Sequence, residues 1–408
     1  MILFSTVNSN MNVDFVTEMY YNMEEFKRRR TQMASLEELR GELDRLDEQI
    51  IALYERRMEV CSCVADYKIK NGRKVYDRQR EQEKLAKAAS QVEHEENKKG
   101  VQELFTLLMS LSRKLQYQKL SRCGTTGRLP FIEVDQLEVK KARIVFQGVE
   151  GAYSEAALKQ YFGDAVNSYH VRTWKDAMDA IEDGAADFAV LPIENSSAGA
   201  VSEVYDLLVE YENYIVGETV LPVNHVLAGL PGSGEEEITR VYSHPQGLMQ
   251  CEKYLYDHPA MEKVSVPNTA VAACKVVEEQ DKSHAAICSA YAASLNGLEV
   301  LREQINDSRH NSTRFIIVTN QKIFLKNADK ISICFELPHK SGSLYQMLSH
   351  FIFNNLNLTK IESRPIEDRP WEYRFFVDFE GNLADGGVKS AIRGLREETT
   401  SMKILGNY

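Results

Sequence analysis

Cationic side chains stand on the packing face of a long amphipathic segment near the start of the chain. Leu36, Leu39, Leu43, Leu46, Ile50 and Leu53 recur in steps of three and four, the stripe resumes at Val60 and Val64, and the position between is Arg57. A guanidinium set among apolar neighbours needs a partner, and a bound ligand can be that partner. At 100° per residue Lys68 lies about 20° from Arg57 on the same face, whereas Arg40 lies about 100° away. After the turn at Asn71-Gly72 come Asp77, Arg80 and Glu81, with Asp77 and Glu81 on one face of a second helix. Ser112 and Gln116 lie one turn apart at the edge of a further stripe, Leu104, Leu107, Leu108, Leu111 and Leu115, where both could face a cavity. Taken singly, each of these reads first as a solvated charge or a coiled-coil flank. As a set they are harder to dismiss.

A second group of polar residues follows short apolar runs farther along. Ser154 comes after Gly148-Val-Glu-Gly151, and Asn195, Ser196 and Ser197 come after the apolar run 188–193. Ser243-His-Pro-Gln246, Asn268-Thr269 and Ser289 repeat the pattern, each placing a hydroxyl or amide at an expected helix start. Any one of them reads as an N-cap. Several helix N-termini meeting at one cleft would instead bind carboxylates, because their free N–H groups and dipoles favour anions. Neither a Gly-x-Gly-x-x-Gly fingerprint nor a Walker motif is present, which disfavours a nicotinamide enzyme. The nine histidines lack zinc-site spacing and no cysteine cluster accompanies them, so neither a metal nor a cofactor is expected.

These groups require three kinds of element to hold them. Residues 33–122 read as an all-α segment, and residues 123–141 as a linker. From 142 to 319 strands alternate with helices, as in a largely parallel, doubly wound α/β sheet. Residues 328–408 read as an α+β domain: a strand at 330–337, a helix at 343–354, strands at 358–365 and 373–378, a helix at 387–398 and a strand at 402–405. That βαββαβ order suits a ferredoxin-like sandwich. Residues 1–32 lack periodicity and are assigned only as an N-terminal extension. At 408 residues, with 43% hydrophobic and 27% charged, the chain can bury more than one core. Its net charge of −11 argues against nucleic-acid binding. Seven scattered cysteines read as reduced thiols, and neither a secretory leader nor a bilayer-spanning run is seen, so a cytoplasmic protein is expected.

The helical segment resembles the all-helical chorismate mutases of the intertwined-dimer class found at the N-terminus of bacterial P-proteins. Arg40, Arg57, Lys68, Asp77, Arg80, Glu81, Ser112 and Gln116 occupy that family's active-site positions without substitution. The resemblance implies that Arg40 reaches into the partner subunit's site and that Arg57 and Arg80 attend the substrate dianion. It also implies that Lys68 and Gln116 donate to the ether oxygen of chorismate, while Asp77 and Glu81 address the ring hydroxyl. Such a site holds the compact conformer and stabilises separating charge; the rearrangement itself moves no proton.

Leu191-Pro-Ile-Glu-Asn-Ser-Ser-Ala-Gly199, Tyr242-Ser-His-Pro-Gln246 and Ser312-Thr-Arg-Phe315, in this order, resemble prephenate dehydratases, whose two periplasmic-binding-protein-like lobes enclose a cleft. Thr313 corresponds to the family's catalytic threonine, and Asn195 and Gln246 to polar residues of the same cleft. Ser154, Ser196, Ser197 and Thr269 are candidates for holding the carboxylates of prephenate. Glu362-Ser363-Arg364-Pro365 followed by Trp371 resembles the ACT regulatory domains of these enzymes, where the motif helps bind L-phenylalanine as effector between subunits. From the four residues alone, a strand-end turn stabilised by proline is the plainer account. The other effector motif of that family begins Gly-Ala-Leu, and Gly342, Ser343 and Leu344 stand at its place within Ser341–Tyr345, with Ser343 and Tyr345 departing from it. The resemblance thus implies a cofactor-free bifunctional enzyme, at least a homodimer, taking chorismate through prephenate to phenylpyruvate. Two alternatives stay open: a dehydratase that prefers arogenate, and a non-catalytic amino-acid sensor built on the same folds.

Overall fold

The computed structural model describes residues 35–123 and 129–408. The expected N-terminal extension, 1–32, lies outside the described residues. The chain divides into two compact units, one ending at Arg73 and the other running from Lys74.

The described part of the first unit is dominated by one helix, α1 (Leu36–Lys70). Ser35 caps it through a reciprocal capping box with Glu38, acidic residues fill its first turn, and Lys68 and Lys70 sit in its last. Gly72, at φ +61°, ends it by turning the backbone left-handed. The stripe is largely open: Leu36, Leu39, Leu43, Leu46, Ile50, Leu53, Val60 and Val64 are all exposed.

The second unit starts with α2 (Arg78–Ser90) and α3 (Lys98–Arg122). Asp77 is the N-cap of α2, its carboxylate accepting the Arg80 N–H at 3.1 Å. Asp77 therefore does not share a helical face with Glu81 as expected, because capping takes its backbone out of the helix. The segment read as a linker carries a strand, β1 (Ile132–Val134).

Residues 143–222 build the first α/β lobe from β2 (Arg143–Gln147), α4 (Tyr153–Phe162), β3 (Asn167–Val171), α5 (Trp174–Glu182), β4 (Phe188–Asn195), β5 (Gly199–Ala200), α6 (Ser202–Glu210) and β6 (Tyr214–Pro222). Alternation along β2 sorts its side chains to two cores. Val145 packs with Met178, Ile181 and Leu208 of α5 and α6, whereas Ile144 and Phe146 pack with Ala157 and Leu158 of α4.

The second lobe holds β7 (His225–Gly229), β8 (Arg240–Ser243), α7 (Pro245–Gln250), α8 (Glu252–Asp257), β9 (Glu262–Ser265), α9 (Thr269–Glu279), β10 (His284–Ser289), α10 (Ala290–Leu295) and β11 (Glu299–Arg302). Its strand order is β11-β7-β10-β8-β9. The chain then returns to the first lobe as β12 (Ser312–Thr319), which lies antiparallel between β4 and β6. Only β2–β3 and β2–β4 in the first lobe, and β8–β9 and β8–β10 in the second, are parallel pairs. The expectation of a largely parallel sheet is corrected accordingly. A strand arriving from the other lobe enters from the opposite end, so it must run against its neighbours.

β13 (Ile323–Leu325) pairs in parallel with β1. The C-terminal region is β14 (Lys330–Glu336), α11 (Ser343–Phe353), β15 (Leu358–Ile366), β16 (Arg369–Glu380), α12 (Gly386–Glu398) and β17 (Ser401–Asn407). The order β15-β16-β14-β17, all antiparallel, is that of a ferredoxin-like sandwich. Ile331, Ile333, Phe335, Val377 and Phe379 alternate inward against Met347 and Phe351 of α11 and Val388, Ile392 and Leu395 of α12. β17 then touches β6 in parallel at one pair, Gly406 and Ile215, joining this sheet to that of the first lobe. Only glycine fits there, since a Cβ on Gly406 would lie 2.1 Å from the Ile215 carbonyl oxygen.

Candidate active sites

Sheet register sets Thr313 directly opposite Asn195, at the mouth where the chain comes back from the second lobe. A bulge follows at once, between Arg314 and Phe315, opposite Pro192. Proline has no N–H to give the ladder, so a disrupted register is its natural place in a strand.

The orientation of the Asn195 amide is dictated by donors. Its Oδ1 accepts the backbone N–H groups of Ser197 and Ala198, each at 3.0 Å, which leaves Nδ2 facing Thr313 Oγ1 at 2.9 Å, Asn311 Oδ1 at 2.9 Å and the Ser312 carbonyl at 3.2 Å. An amide NH₂ can only donate, so the Thr313 oxygen accepts there and its own hydrogen points elsewhere. The half-buried Thr313 hydroxyl is thus prepared to donate to a group placed before it.

Ser196 and Ser197 do not start a helix. They form the exposed tight turn between β4 and β5, and α6 begins only at Ser202. The Ser196 hydroxyl accepts the Ser312 N–H at 2.9 Å and donates to the His310 carbonyl at 3.2 Å; the Ser197 hydroxyl donates to Asn311 Oδ1 at 3.0 Å. The Asx turn made by Asn195 competes with helix initiation here.

Asn311 went unnoticed in the sequence reading. It is 4% exposed, its Oδ1 takes bonds from both Asn195 and Ser197, and its Nδ2 has no hydrogen-bond partner among the described residues. The available signal was an amide two residues ahead of Thr-Arg-Phe.

The other candidates in this region lie on both lobes. Ser154 is the second residue of α4 and is buried; the N-cap is Ala152, which supplies no side-chain cap. Glu155 already occupies that helix start, accepting the Gly151 N–H at 2.6 Å and pairing with Lys159 at 2.8 Å. Burial would raise the Glu155 pKa, but the bonds from Lys159 and Gly151 hold it below the ordinary value. In the second lobe Asn268 caps α9, whose first residue is Thr269, and Ser289 caps α10. Gln246 is half-buried at the start of α7, its backbone N–H donated to His244 Nδ1 at 3.2 Å, and no hydrogen bond joins it to Asn195 or Thr313. The lobes approach closely at Gly151, φ +88°, where a Cβ would come within 3.3 Å of the Ala292 Cα.

Arg314 ties this site to the C-terminal region. Its Nη2 donates to Asp378 at 2.7 Å and to the Tyr408 hydroxyl at 3.1 Å; Nε lies 2.9 Å from Glu218 as an ion pair without hydrogen-bond alignment. Burial works against the charge, but Tyr408, Asp378 and Glu218 more than offset it and raise the pKa. Ser332 also bonds both Asp378 and Tyr408.

In the helical segment each unit carries its own candidates. On α1, Arg40 is exposed while Arg57 and Lys68 are half-buried. In the second unit Arg80 is exposed, and Glu81 is half-buried and bonded to Arg113, a residue the sequence reading also passed over. Ser112 and Gln116 are buried one turn apart on α3: Ser112 Oγ donates to the Leu108 carbonyl and Gln116 Nε2 to the Ser112 carbonyl, while Gln116 Oε1 has no hydrogen-bond partner among the described residues.

The effector candidates occupy two elements. Gly342, left-handed at φ +80°, caps the start of α11, followed by Ser343, whose hydroxyl bonds the Pro338 and Lys340 carbonyls, and half-buried Leu344. Glu362, Ser363, Arg364 and Pro365 lie inside β15; the reversal comes later, with Asp368 at φ +61°. The strand-end turn considered for them is therefore replaced by an edge strand, where proline's missing donor is tolerated. Arg364 pairs with Asp206 of α6 at 2.6 Å.

A family model for prephenate dehydratase matches residues 144–323, and one for chorismate mutase type II matches residues 39–117. The bifunctional chorismate mutase/prephenate dehydratase of Escherichia coli (strain K12) is 32% identical over 377 residues, covering 91% of this chain and 95% of that protein. Arogenate dehydratase 1 of Petunia hybrida is 39% identical over 284 residues, 65% of this chain and 66% of that one. The structure of prephenate dehydratase from Arthrobacter aurescens in complex with L-Phe superposes with a TM-score of 0.61 at 32% identity, covering 65% of this chain and 89% of that one. Because the match to the Escherichia coli protein runs through the helical segment as well as both lobes, the chain belongs to the family of bifunctional chorismate mutase/prephenate dehydratases.

Proposed function

We propose that this chain rearranges chorismate to prephenate and then converts prephenate to phenylpyruvate, in phenylalanine biosynthesis. The observation that carries the second step is the Asn195–Thr313 bond at the crossing between lobes. When prephenate aromatises, the bond to its ring carboxylate breaks, that electron pair enters the ring, and the ring hydroxyl leaves as the C–O bond breaks. The products are carbon dioxide and, once the hydroxide gains a proton, water. Thr313 donates to the departing oxygen, and Asn195 keeps the threonine lone pair engaged so that the hydroxyl hydrogen faces the substrate. Gln246, on the other lobe and without a hydrogen bond to Asn195 or Thr313, is assigned to the same cleft as a substrate contact. Ser196, Ser197 and Thr269 are assigned to the carboxylates; Ser154 has weaker support, because Glu155 shares its helix start.

For the first step the assigned residues are Lys68 and Gln116 at the ether oxygen, Arg40, Arg57 and Arg80 around the carboxylates, and Glu81 with Ser112 at the hydroxyl end. The unpartnered, buried Gln116 Oε1 supports a site role for that amide. Asp77 is spent in part on capping, which weakens its case. A homodimer through α1 is part of the proposal, supported by the exposed stripe from Leu36 to Val64. The ferredoxin-like C-terminal region is assigned as an ACT domain that binds L-phenylalanine as inhibitor through Gly342, Ser343, Leu344 and the Glu362-Ser363-Arg364-Pro365 strand. A cytoplasmic setting is proposed on the seven unbridged cysteines. Among the described residues no helix is long and apolar enough to cross a membrane.

The test is a coupled assay starting from chorismate and reading phenylpyruvate, with and without L-phenylalanine. Phenylpyruvate formation that falls on adding phenylalanine is expected. Ligand binding without turnover would favour the sensor, and faster turnover of arogenate than of prephenate would reassign the second substrate.

A further inference from the structure

One guanidinium is shared between the helical segment and the C-terminal domain. Arg113, on α3, is 7% exposed in its side chain and makes three charged hydrogen bonds. Nη1 goes to Glu81 at 2.5 Å, while Nε and Nη2 clasp the two oxygens of Glu398, the last residue of α12, at 2.8 and 3.2 Å. The fork is therefore bidentate on a carboxylate 285 residues away in sequence, contributed by the C-terminal domain. The ring of Tyr76 lies 5.0 Å below the guanidinium, and His350 Nε2 of α11 lies 3.3 Å from Glu398. A second carboxylate of α12 continues the contact: Glu397 accepts the Tyr117 hydroxyl at 3.1 Å and the Tyr76 N–H at 3.2 Å.

A buried contact that only docked α12 on α3 would need no third carboxylate. Two anions on one cation leave the group short of positive charge, an arrangement that burial penalises unless the extra anion has another use. Glu81 is that extra anion, and it is a residue assigned to the mutase. We infer that Arg113 is a positioning residue for Glu81 and that Glu398 of the C-terminal domain holds Arg113 in place, so that mutase turnover depends on α12. This rests on the assignment of Glu81 given above. The consequence is a physical connection from the regulatory domain to the first reaction, separate from the Arg314–Asp378 link to the second.

The experiment compares full-length Arg113→Met, Arg113→Lys, Glu398→Gln and Glu81→Ala with the parent, measuring chorismate turnover and prephenate turnover on the same preparations. Loosening Glu81 is expected to lower mutase kcat about tenfold to a hundredfold in Arg113→Met, with a smaller change in KM. Glu398→Gln should give a lesser loss in the same direction, Arg113→Lys a partial recovery, and prephenate turnover should stay within about twofold of the parent. Parental mutase kcat in Arg113→Met beside an impaired Glu81→Ala overturns this inference alone. Parental kcat in Glu81→Ala refutes the assignment of Glu81 and the inference with it. If Arg113→Met loses both activities, the isosteric Glu398→Gln decides: a selective mutase loss supports the inference, and parallel or absent losses overturn it.

Discussion

The side-chain nitrogen of Asn195 lies 2.9 Å from Thr313 Oγ1, across a strand pair whose register puts the two residues face to face. This bond uses an acceptor site on the threonine oxygen and leaves its hydrogen available. Thr313→Ala should therefore lower prephenate turnover by about 10²–10³-fold, the usual effect of removing one aimed donor. Chorismate turnover should be unaffected. Prephenate kcat equal to that of the parent would show that the hydroxyl has no part in the reaction.

Lys68, half-buried in the last turn of α1, is the cation proposed above for the ether oxygen in the other reaction. Lys68→Ala is expected to reduce mutase turnover by about 10²–10³-fold while prephenate turnover and the dichroism spectrum are kept. A variant that rearranges chorismate at the parental rate would remove Lys68 from the site.

Asp378 accepts from Arg314 at 2.7 Å, one residue from Thr313, and its other oxygen accepts from Ser332. Asp378→Asn should destabilise the protein by on the order of 2 kcal/mol, since a hydrogen bond to a charged group is weakened where both partners are largely buried. Urea unfolding measures this. The same variant should lower prephenate turnover and leave mutase turnover unchanged; unaltered stability would mean that Glu218 and Tyr408 suffice for Arg314.

Lys114 lies buried on α3, its ammonium bonded to Ser349 at 2.7 Å, and burial pushes its pKa down to about 8. The unfolded chain holds that proton more firmly, with a pKa of about 10.4. The resulting destabilisation is complete below about pH 8 and vanishes as the pH rises past the unfolded value. Lys114→Met, which keeps the apolar stem, should raise the urea midpoint at pH 7, and its advantage should shrink toward pH 10. An advantage that grows with pH would contradict the assignment.

Much of the helical segment could be read from residue spacing alone. The apolar steps along 36–64 and the turn at Asn71-Gly72 are short-range properties, and so are the strand and helix periods of 330–405; they depend on neighbours within one or two turns. The motif Ser312-Thr-Arg-Phe315 likewise marked Thr313 before any contact was known. Three features were beyond that reach. The return of β12 between β4 and β6 reversed the expected parallel order, because strand direction depends on which lobe the chain has just left. The turn at Ser196 and Ser197 replaced an expected helix start, because Asn195 bonds two backbone donors there. Asn311 and Arg113 were missed because their significance lies in partners 116 and 285 residues away.

Sequence by itself determined which elements form, which family supplies the template and where the hydroxyl of Thr313 falls in the chain. Tertiary structure alone decided the direction of that hydroxyl and the sharing of Arg113 between Glu81 and Glu398. Both depend on hydrogen bonds between residues that only the folded chain brings within 3 Å, and local pattern contains no term for such distances.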